Sequence, residues 1–306
     1  MFKLTIAALL AISTSTPALA GQVYSYASQV NDVDSVNSHW IETESGVILV
    51  DAQRILPEAE RALQHLQATT SKPIIAIFVT HPHTDHYGGL PVWTEAYPAA
   101  KVYMTATALR SIREDSRGYN AARAKRHGER FAAQSALDAA LANAIIVQDG
   151  QSLDIDGTRV TLQEFGPSEA ETTLAVSLEN NEQVFIGDLI NVGVPAVPFE
   201  SLENWLGQLA EIERLYASFE IYQGHGPAPI TADEANEQRT FLTKLRDLVA
   251  ARIADESLSV AEQDEIVFAL EAEWPFYDGV AGNTRREMLA FDAGIVAEQM
   301  GAKVDR

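Results

Sequence analysis

The sequence predicts an α/β protein in which helices cover the faces of β-sheets. Short apolar strands alternate with helical segments over the first 230 residues, which is typical of sheets packed between helices. The runs at 47–50 and 74–79 are continuously apolar, as expected for strands buried on both faces. Beyond residue 229 the chain is predicted to be helical to its end, most clearly over 232–254 and 260–273.

The elements of the main part follow in order. Residues 22–50 alternate as strands, and a turn at 44–46 leads into the strand at 47–50. Pro57 begins a helix to about residue 68, because proline is favoured in the first turn. The remaining strands are predicted at 74–79, 101–105, 144–147, 159–165, 173–178, 183–186 and 219–222, and the remaining helices at 90–97, within 107–143 and at 202–216. We predict a main domain over 21–230 and a helical C-terminal extension over 231–306.

The first twenty residues predict a signal peptide. Lys3 precedes an apolar run over 4–12, and Ala18-Leu19-Ala20 has the small-x-small pattern of a signal-peptidase site. The run is too short to span a bilayer, and no later stretch is long and apolar enough. We therefore expect cleavage near Ala20, a periplasmic or secreted protein beginning at Gly21, and no stable membrane anchor.

Composition excludes several classes of function. The 306 residues include 43 acidic and 22 basic side chains, for a net charge of −21. Nucleic-acid binders and proteins that dock on anionic membranes need clustered cations instead. The chain has no cysteine, so any metal site must consist of His, Asp and Glu.

A candidate metal motif directly follows the strand at 74–79. Three of the seven histidines fall within six residues, together with an aspartate; the motif is His81, His83, Asp85 and His86. Imidazole and carboxylate suit zinc, and iron or manganese is possible at such a site. Gly88 and Gly89 allow tight backbone paths beside it. Two further candidates, Asp188 and His225, each follow an apolar strand and adjoin glycine.

The order of these candidate ligands along the chain resembles the pattern of the metallo-β-lactamase-fold hydrolases. The resemblance covers about residues 22–230. The resemblance implies a four-layer αββα sandwich with a metal site at one edge, between the sheets. It further implies one or two zinc ions. His81 and His83 would belong to the first metal, and Asp188 would bridge the two. The second metal would take Asp85, His86 and His225.

One position departs from the family pattern. The family usually has a third first-site histidine where this chain has residues 165–174, which include none. Ser168 or Glu169 can occupy that place, and Glu169 is the better ligand because its carboxylate coordinates directly. Glu171 is a weaker candidate, and a solvated acidic loop is an equal alternative for both glutamates. The first site would then be weak, altered in metal preference or empty.

The resulting functional prediction is metal-dependent hydrolysis of a small ester, lactone or lactam by a metal-activated hydroxide. Asp85 would both bind the second metal and orient the attacking water. Because the chain has no cysteine, the lactamase subgroups that use cysteine as a metal ligand are excluded. Asp188, as a bridging ligand, favours thioesterase-, lactonase- or phosphodiesterase-like relatives. Three alternatives remain open: β-lactamase-type antibiotic hydrolysis, a catalytically impaired metal-binding protein, and an iron-dependent redox protein.

Two other features have weaker interpretations. Residues 110–130 carry seven cations against three acids, which would either steer an anionic substrate or form a solvated helix; the second is favoured. We expect a small-molecule substrate and leave the oligomeric state open. His39, His65 and His127 have no predicted metal role.

Overall fold

A computed structural model describes residues 21–28, 36–178, 182–193, 195–253, 256–275 and 284–305. The predicted signal peptide lies outside the described residues, so it stays a prediction. Within the described ranges, none of the helices combines the length and the apolar character that a membrane crossing requires.

The first sheet forms from the N-terminal half of the chain. Its strands lie in the order β1 (Val23–Ala27), β2 (Asn37–Glu42), β3 (Val47–Val50), β4 (Ile74–Phe78), β5 (Lys101–Met104) and β6 (Ile145–Ile146). The β1–β2 and β2–β3 pairs are antiparallel, and β3 to β6 run parallel. The helices of this half are α1 (Leu56–Thr69), α2 (Thr84–Tyr87), α3 (Leu90–Ala96), α4 (Ala106–Glu114), α5 (Tyr119–His127) and α6 (Gln134–Ala140).

The second sheet forms from the C-terminal half. Its order is β11 (Glu220–Gln223), β10 (Gln183–Gly187), β9 (Thr173–Leu178), β8 (Thr158–Phe165) and β7 (Ser152–Ile155). Only its β10–β11 pair is parallel. The helices that follow are α7 (Leu202–Leu215), α8 (Asp233–Ala250), α9 (Val260–Glu273) and α10 (Arg285–Gln299).

Three hydrophobic clusters separate four layers. The cluster between the sheets includes Ile48 and Phe78 from one sheet and Val176 and Phe185 from the other. A second cluster joins the first sheet to its helices, including α1, α3 and α4. A third joins the second sheet to α7–α10. The predicted αββα sandwich with C-terminal helices is confirmed. Each sheet packs one face against the other sheet and the opposite face against helices, so its central strands are buried on both faces.

Some details differ from the sequence prediction. Strand β7 was not predicted, because it is a half-exposed edge strand without an apolar run. Strand β6 has two residues where four were expected. Two short strands, β12 (Ser257–Leu258) and β13 (Lys303–Val304), pair within the predicted helical region. The domain boundary near residue 230 stays a prediction.

Candidate metal centre

Strand ends of both sheets meet at the predicted metal residues. His81 lies just beyond β4, Asp188 directly follows β10, and His225 lies two residues beyond β11. Asp85 and His86 belong to the single-turn helix α2. The sheets join at this point, since the Gly224 amide donates to the Gly187 carbonyl and the Asn37 amide donates to the Gly224 carbonyl. The fold thus gathers side chains that lie far apart in sequence.

The first group of candidate ligands comprises His81, His83, Glu169 and Asp188. The His81 Nε2 atom lies 3.7 Å from both the Glu169 Oε2 and the Asp188 Oδ2 atoms. His83 Nδ1 lies 2.9 Å from Glu169 Oε1. One ligand atom from each residue lies within 4.8 Å of the others. Ligands of a tetrahedral zinc ion lie about 3.3 Å apart, so the four side chains have the spacing that one ion requires.

The second group comprises Asp85, His86, Asp188 and His225. His225 Nε2 lies 3.1 Å from Asp85 Oδ2 and 3.2 Å from Asp188 Oδ2. His86 Nε2 lies 3.4 Å from the same Asp188 oxygen. All four residues are buried. Because Asp188 belongs to both groups, its carboxylate lies where a bridging ligand between two ions would lie.

Asp51 orients two of the histidines. Its carboxylate accepts hydrogen bonds from the Thr80 hydroxyl at 2.9 Å and from His86 Nδ1 at 2.7 Å. His81 Nδ1 lies 3.0 Å from the Thr80 oxygen, whose proton is already donated to Asp51. Both rings therefore carry a proton on Nδ1, and Nε2 is the atom that each ring presents to an ion. Such outer hydrogen bonds fix the tautomer and raise the basicity of a metal ligand.

Arg54 contacts Asp85 from the side opposite the histidines. Its Nη2 atom lies 2.9 Å from Asp85 Oδ1, and the arginine side chain is only 3% exposed. Burial alone would raise the pKa of Asp85, but Arg54, followed by His86 and His225, holds that pKa well below its usual range. The sequence analysis missed Arg54, because one arginine four residues after a strand carries no recognisable signal.

The carboxylates and histidines of the centre shift one another's pKa values. Burial opposes protonation of His225, but the carboxylates of Asp188 and Asp85 outweigh it and raise its pKa to about 10. Burial also raises the pKa of Glu169 to about 6, although His83 opposes the increase. Without an ion, these carboxylates hold protons on their histidine partners. An ion that binds here must displace those protons, so metal affinity increases with pH.

The donor set fits a divalent ion. The buried atoms His81 Nε2, Glu169 Oε2 and Asp188 Oδ1 have no hydrogen-bond partner among the described residues. Unpartnered buried polar atoms are costly, and a cation held by the first group would satisfy the His81 and Glu169 atoms. Imidazole with carboxylate suits zinc, iron and manganese. The described residues therefore support a divalent metal whose identity they leave undetermined.

Glycine is required at one point of the centre. A Cβ atom on Gly224 would collide with Asp188 Oδ1 and would lie 2.7 Å from His86 Cε1. Gly88 and Gly89 were expected to pass close to the metals. Instead they pack against the backbone of residues 52–54, and this close contact holds α2 against the loop that carries Arg54.

A cavity of about 470 Å³ opens onto the centre. Besides the metal residues, its wall includes the polar side chains of Arg54, Tyr119, Arg123 and Asn191. The rest of the wall is mostly apolar and includes Phe199, Met288 and Phe291, with Glu287, whose carboxylate caps the start of α10, beside them. The sequence analysis missed these wall residues, because they come from segments far apart in the chain.

All seven predicted site residues lie together, and the structure separates the two glutamates that were alternatives for the missing histidine. Glu169 is 5% exposed and lies in the first group, so it is not a solvated acid. Glu171 instead accepts a hydrogen bond from the Ser111 hydroxyl at 3.0 Å. Ser168 is also buried, and its hydroxyl oxygen has no hydrogen-bond partner among the described residues, so the serine alternative stays a prediction.

The remaining predictions concern side chains around the site. Within the described ranges, His39, His65 and His127 belong to neither candidate metal group. Of the cationic segment, Arg117 lies between α4 and α5 and pairs with Glu171 and Glu200, which lie outside the segment. Arg123 lines the cavity.

Comparison with known proteins agrees with this geometry. The sequence model of the metallo-beta-lactamase superfamily matches residues 31–254. The chain belongs to this superfamily. Similar proteins include a probable metallo-hydrolase from Streptococcus pyogenes, 22% identical over 69% of this chain and 88% of the relative. This similarity agrees with the prediction of a metallo-hydrolase.

Other relatives match over less of their length. An (R)-specific secondary-alkylsulfatase from Pseudomonas sp. is 39% identical, but over 20% of this chain and 9% of the relative. An atrochrysone carboxyl ACP thioesterase from Aspergillus fumigatus is 25% identical over 63% of this chain and 51% of its own length. The chain thus spans about half or less of the length of these two relatives.

Solved structures share the fold. A metallo-beta-lactamase family protein from Thermus thermophilus superposes with a TM-score of 0.62 at 22% identity, covering 91% of this chain and 92% of its own. The sec-alkylsulfatase from Pseudomonas sp. also gives 0.62, at 19% identity, over 91% of this chain and 49% of its own. Both likenesses concern the metallo-β-lactamase fold alone.

Proposed function

We propose that this protein is an exported, zinc-dependent hydrolase of small carboxylic esters, lactones or lactams. The observation that carries the proposal is the pair of buried ligand groups that share Asp188 and lie at the base of a 470 Å³ cavity. Export rests on the signal-peptide pattern of residues 1–20. Zinc is favoured because imidazole and carboxylate are its usual ligands in the absence of cysteine.

Each residue has a proposed role. His81, His83 and Glu169 would hold a first ion and Asp85, His86 and His225 a second, and Asp188 would serve both because it belongs to both groups. A bound divalent ion supplies Lewis acidity and acidifies water at neutral pH. Asp85 would orient the attacking water, since Oδ2 faces the site while Oδ1 is held by Arg54. Asp51 keeps His86 in the binding tautomer.

A second candidate is hydrolysis of an alkyl sulfate ester. It is favoured by the similarity to alkylsulfatases and by Arg54 and Arg123 in the cavity wall. A sulfate ester carries a negative charge that these guanidinium groups can attract. The two candidates differ in the bond that breaks, so they can be separated by substrate.

The test combines metal analysis with a substrate panel. Elemental analysis of the mature protein gives metal identity and stoichiometry. Activity is then measured on p-nitrophenyl butyrate, a γ-lactone, nitrocefin and a secondary octyl sulfate. Hydrolysis of the ester or lactone supports the first proposal, and hydrolysis of the sulfate alone supports the second. Absence of bound transition metal, with no activity after zinc is added, contradicts both.

A matched pair of variants tests the proposed replacement for the third histidine. Glu169→Ala removes a ligand, so we expect the first-site ion to dissociate and kcat/KM to decrease at least about tenfold. Glu171→Ala lies two residues away and serves as control, because its carboxylate bonds to Ser111 and Arg117 instead. Equal zinc stoichiometry and equal kcat/KM in the two variants would reject Glu169 as a ligand. Restoration of the ion by Glu169→His would support the assignment.

A further inference from the structure

An apolar lip borders the outer part of the cavity. It consists of Pro195, Val197, Phe199, Met288 and Phe291, all of which line the cavity. Phe199 is 37% exposed and Phe291 is 50% exposed. Large apolar side chains that stay exposed beside a pocket commonly mark a ligand-binding surface.

Contacts between two distant segments hold this lip in place. The Phe199 and Phe291 rings meet edge to face, with centroids 6.0 Å apart. Gln299, at the end of α10, donates to the Pro198 carbonyl at 2.5 Å and accepts from the Leu202 amide at 3.0 Å. The opposite face of α10 is buried in the core through Leu289, among others. The lip is therefore formed before any ligand arrives, which reduces the entropic cost of binding.

The lip continues directly to the metal centre. The Phe199 ring centroid lies 5.6 Å from that of His83, a candidate ligand of the first ion. A substrate whose reacting group lies at the metal centre would thus extend its substituent along Phe199 toward Phe291. Because the chemistry of that surface is apolar, the substituent it fits is a hydrocarbon chain.

We propose that the apolar lip binds the hydrocarbon chain of the substrate, so that the enzyme selects esters with a long apolar chain over short ones. The inference rests on the proposed function, which defines the reacting group of the substrate. It adds a role for α10, the binding of the hydrocarbon chain, that the metal chemistry does not require. Each methylene that leaves water on this surface increases affinity by up to about fourfold.

Binding without turnover tests the lip. Calorimetric titration of the metal-loaded mature protein uses dodecanoate, below its critical micelle concentration, and acetate as the short-chain probe. Both probes carry a carboxylate, so their difference isolates the chain. We expect dodecanoate to bind at least about tenfold more tightly than acetate. Phe291→Ala should weaken dodecanoate binding by about five- to tenfold and leave acetate unchanged.

Phe268→Ala is the matched control, because Phe268 is a 73% exposed phenylalanine on the neighbouring helix α9 and does not line the cavity. Met288→Ala is a second lip variant and should act like Phe291→Ala. Equal affinities for the two probes, or identical behaviour of the Phe291 and Phe268 variants, would overturn the proposal.

A parallel assay separates this inference from the proposed function. The ratio of kcat/KM for p-nitrophenyl octanoate to that for the acetate ester should decrease in Phe291→Ala and stay constant in Phe268→Ala. Chain-dependent binding without hydrolysis of any ester would support the lip and contradict the proposed reaction. Hydrolysis of an ester, together with equal affinity for dodecanoate and acetate, would support the proposed reaction and contradict the lip.

Discussion

Replacement of Arg54 tests whether the charge beside Asp85 is needed at the centre. The guanidinium group and the carboxylate are both buried, with Nη2 and Oδ1 2.9 Å apart. Arg54→Met keeps the length of the side chain but removes the charge and the hydrogen bonds. Asp85 then loses the group that fixes its Oδ1 atom, while Oδ2 still faces His225.

The expected loss of metal affinity and activity follows from the contact between Arg54 and the candidate ligand Asp85. Removing a partner of this kind typically reduces metal affinity or activity by about 10- to 100-fold, equivalent to about 1.4 to 2.7 kcal/mol. We expect this loss at the second ion and in kcat. Arg54→Lys should recover part of it, because lysine keeps the charge but lacks the planar fork.

The assay measures zinc affinity by competition with a chelator, together with kcat and KM on the ester that proves to be a substrate. Cobalt substitution adds an absorption band that reports coordination geometry directly. Arg214→Met is the control, since Arg214 and its partner Glu211 are both exposed on α7. Unchanged zinc affinity and unchanged kcat in Arg54→Met would refute the reasoning, provided that its thermal stability matches that of the control.

Three further predictions concern the backbone, the core and the metal. Gly224→Ala should abolish second-site metal binding, measured by elemental analysis, because its Cβ would displace Asp188; Gly207→Ala, which has open space around it, should not. Burial raises the pKa of Asp292 well above its usual range, so the folded state loses stability as pH increases from about 4 through that raised pKa. Asp292→Asn should therefore raise the free energy of unfolding by at least about 1.4 kcal/mol at pH 8 and by little at pH 4; equal gains at both pH values in denaturant titrations would contradict this. Chelation should abolish activity and lower Tm, and zinc at 100 times its Kd should restore about 2.7 kcal/mol of stability; a melt insensitive to chelator would contradict metal binding by the folded state.

Local patterns in the sequence were sufficient for the layers and most of the ligands. Strands such as 47–50 and 74–79 are recognisable because burial on both faces makes them continuously apolar. The segment at 81–86 is recognisable because four ligand-type side chains occur together directly after one of those strands. Asp188 and His225 each occupy a strand end, where a sheet delivers residues to a common edge.

Loop geometry limited what the sequence predicts at the first group. Glu169 and Glu171 lie two residues apart in a loop without helical or strand periodicity. No pattern can therefore indicate which of them faces His81. The folded backbone buries Glu169 beside the histidine, whereas Glu171 bonds to Ser111 of α4.

The sequence by itself determined the chemistry that this protein can use. Without cysteine, any metal is held by imidazole and carboxylate, and the order of those residues along the chain is sufficient to identify the family. Only the tertiary structure decided what surrounds them: that Arg54 neutralises Asp85, that Glu169 completes the first group, and that α10 contributes Phe291 to the cavity. The cavity wall brings together segments separated by up to 237 residues, as with Arg54 and Phe291. Such proximity depends on how whole layers pack, which no local periodicity encodes.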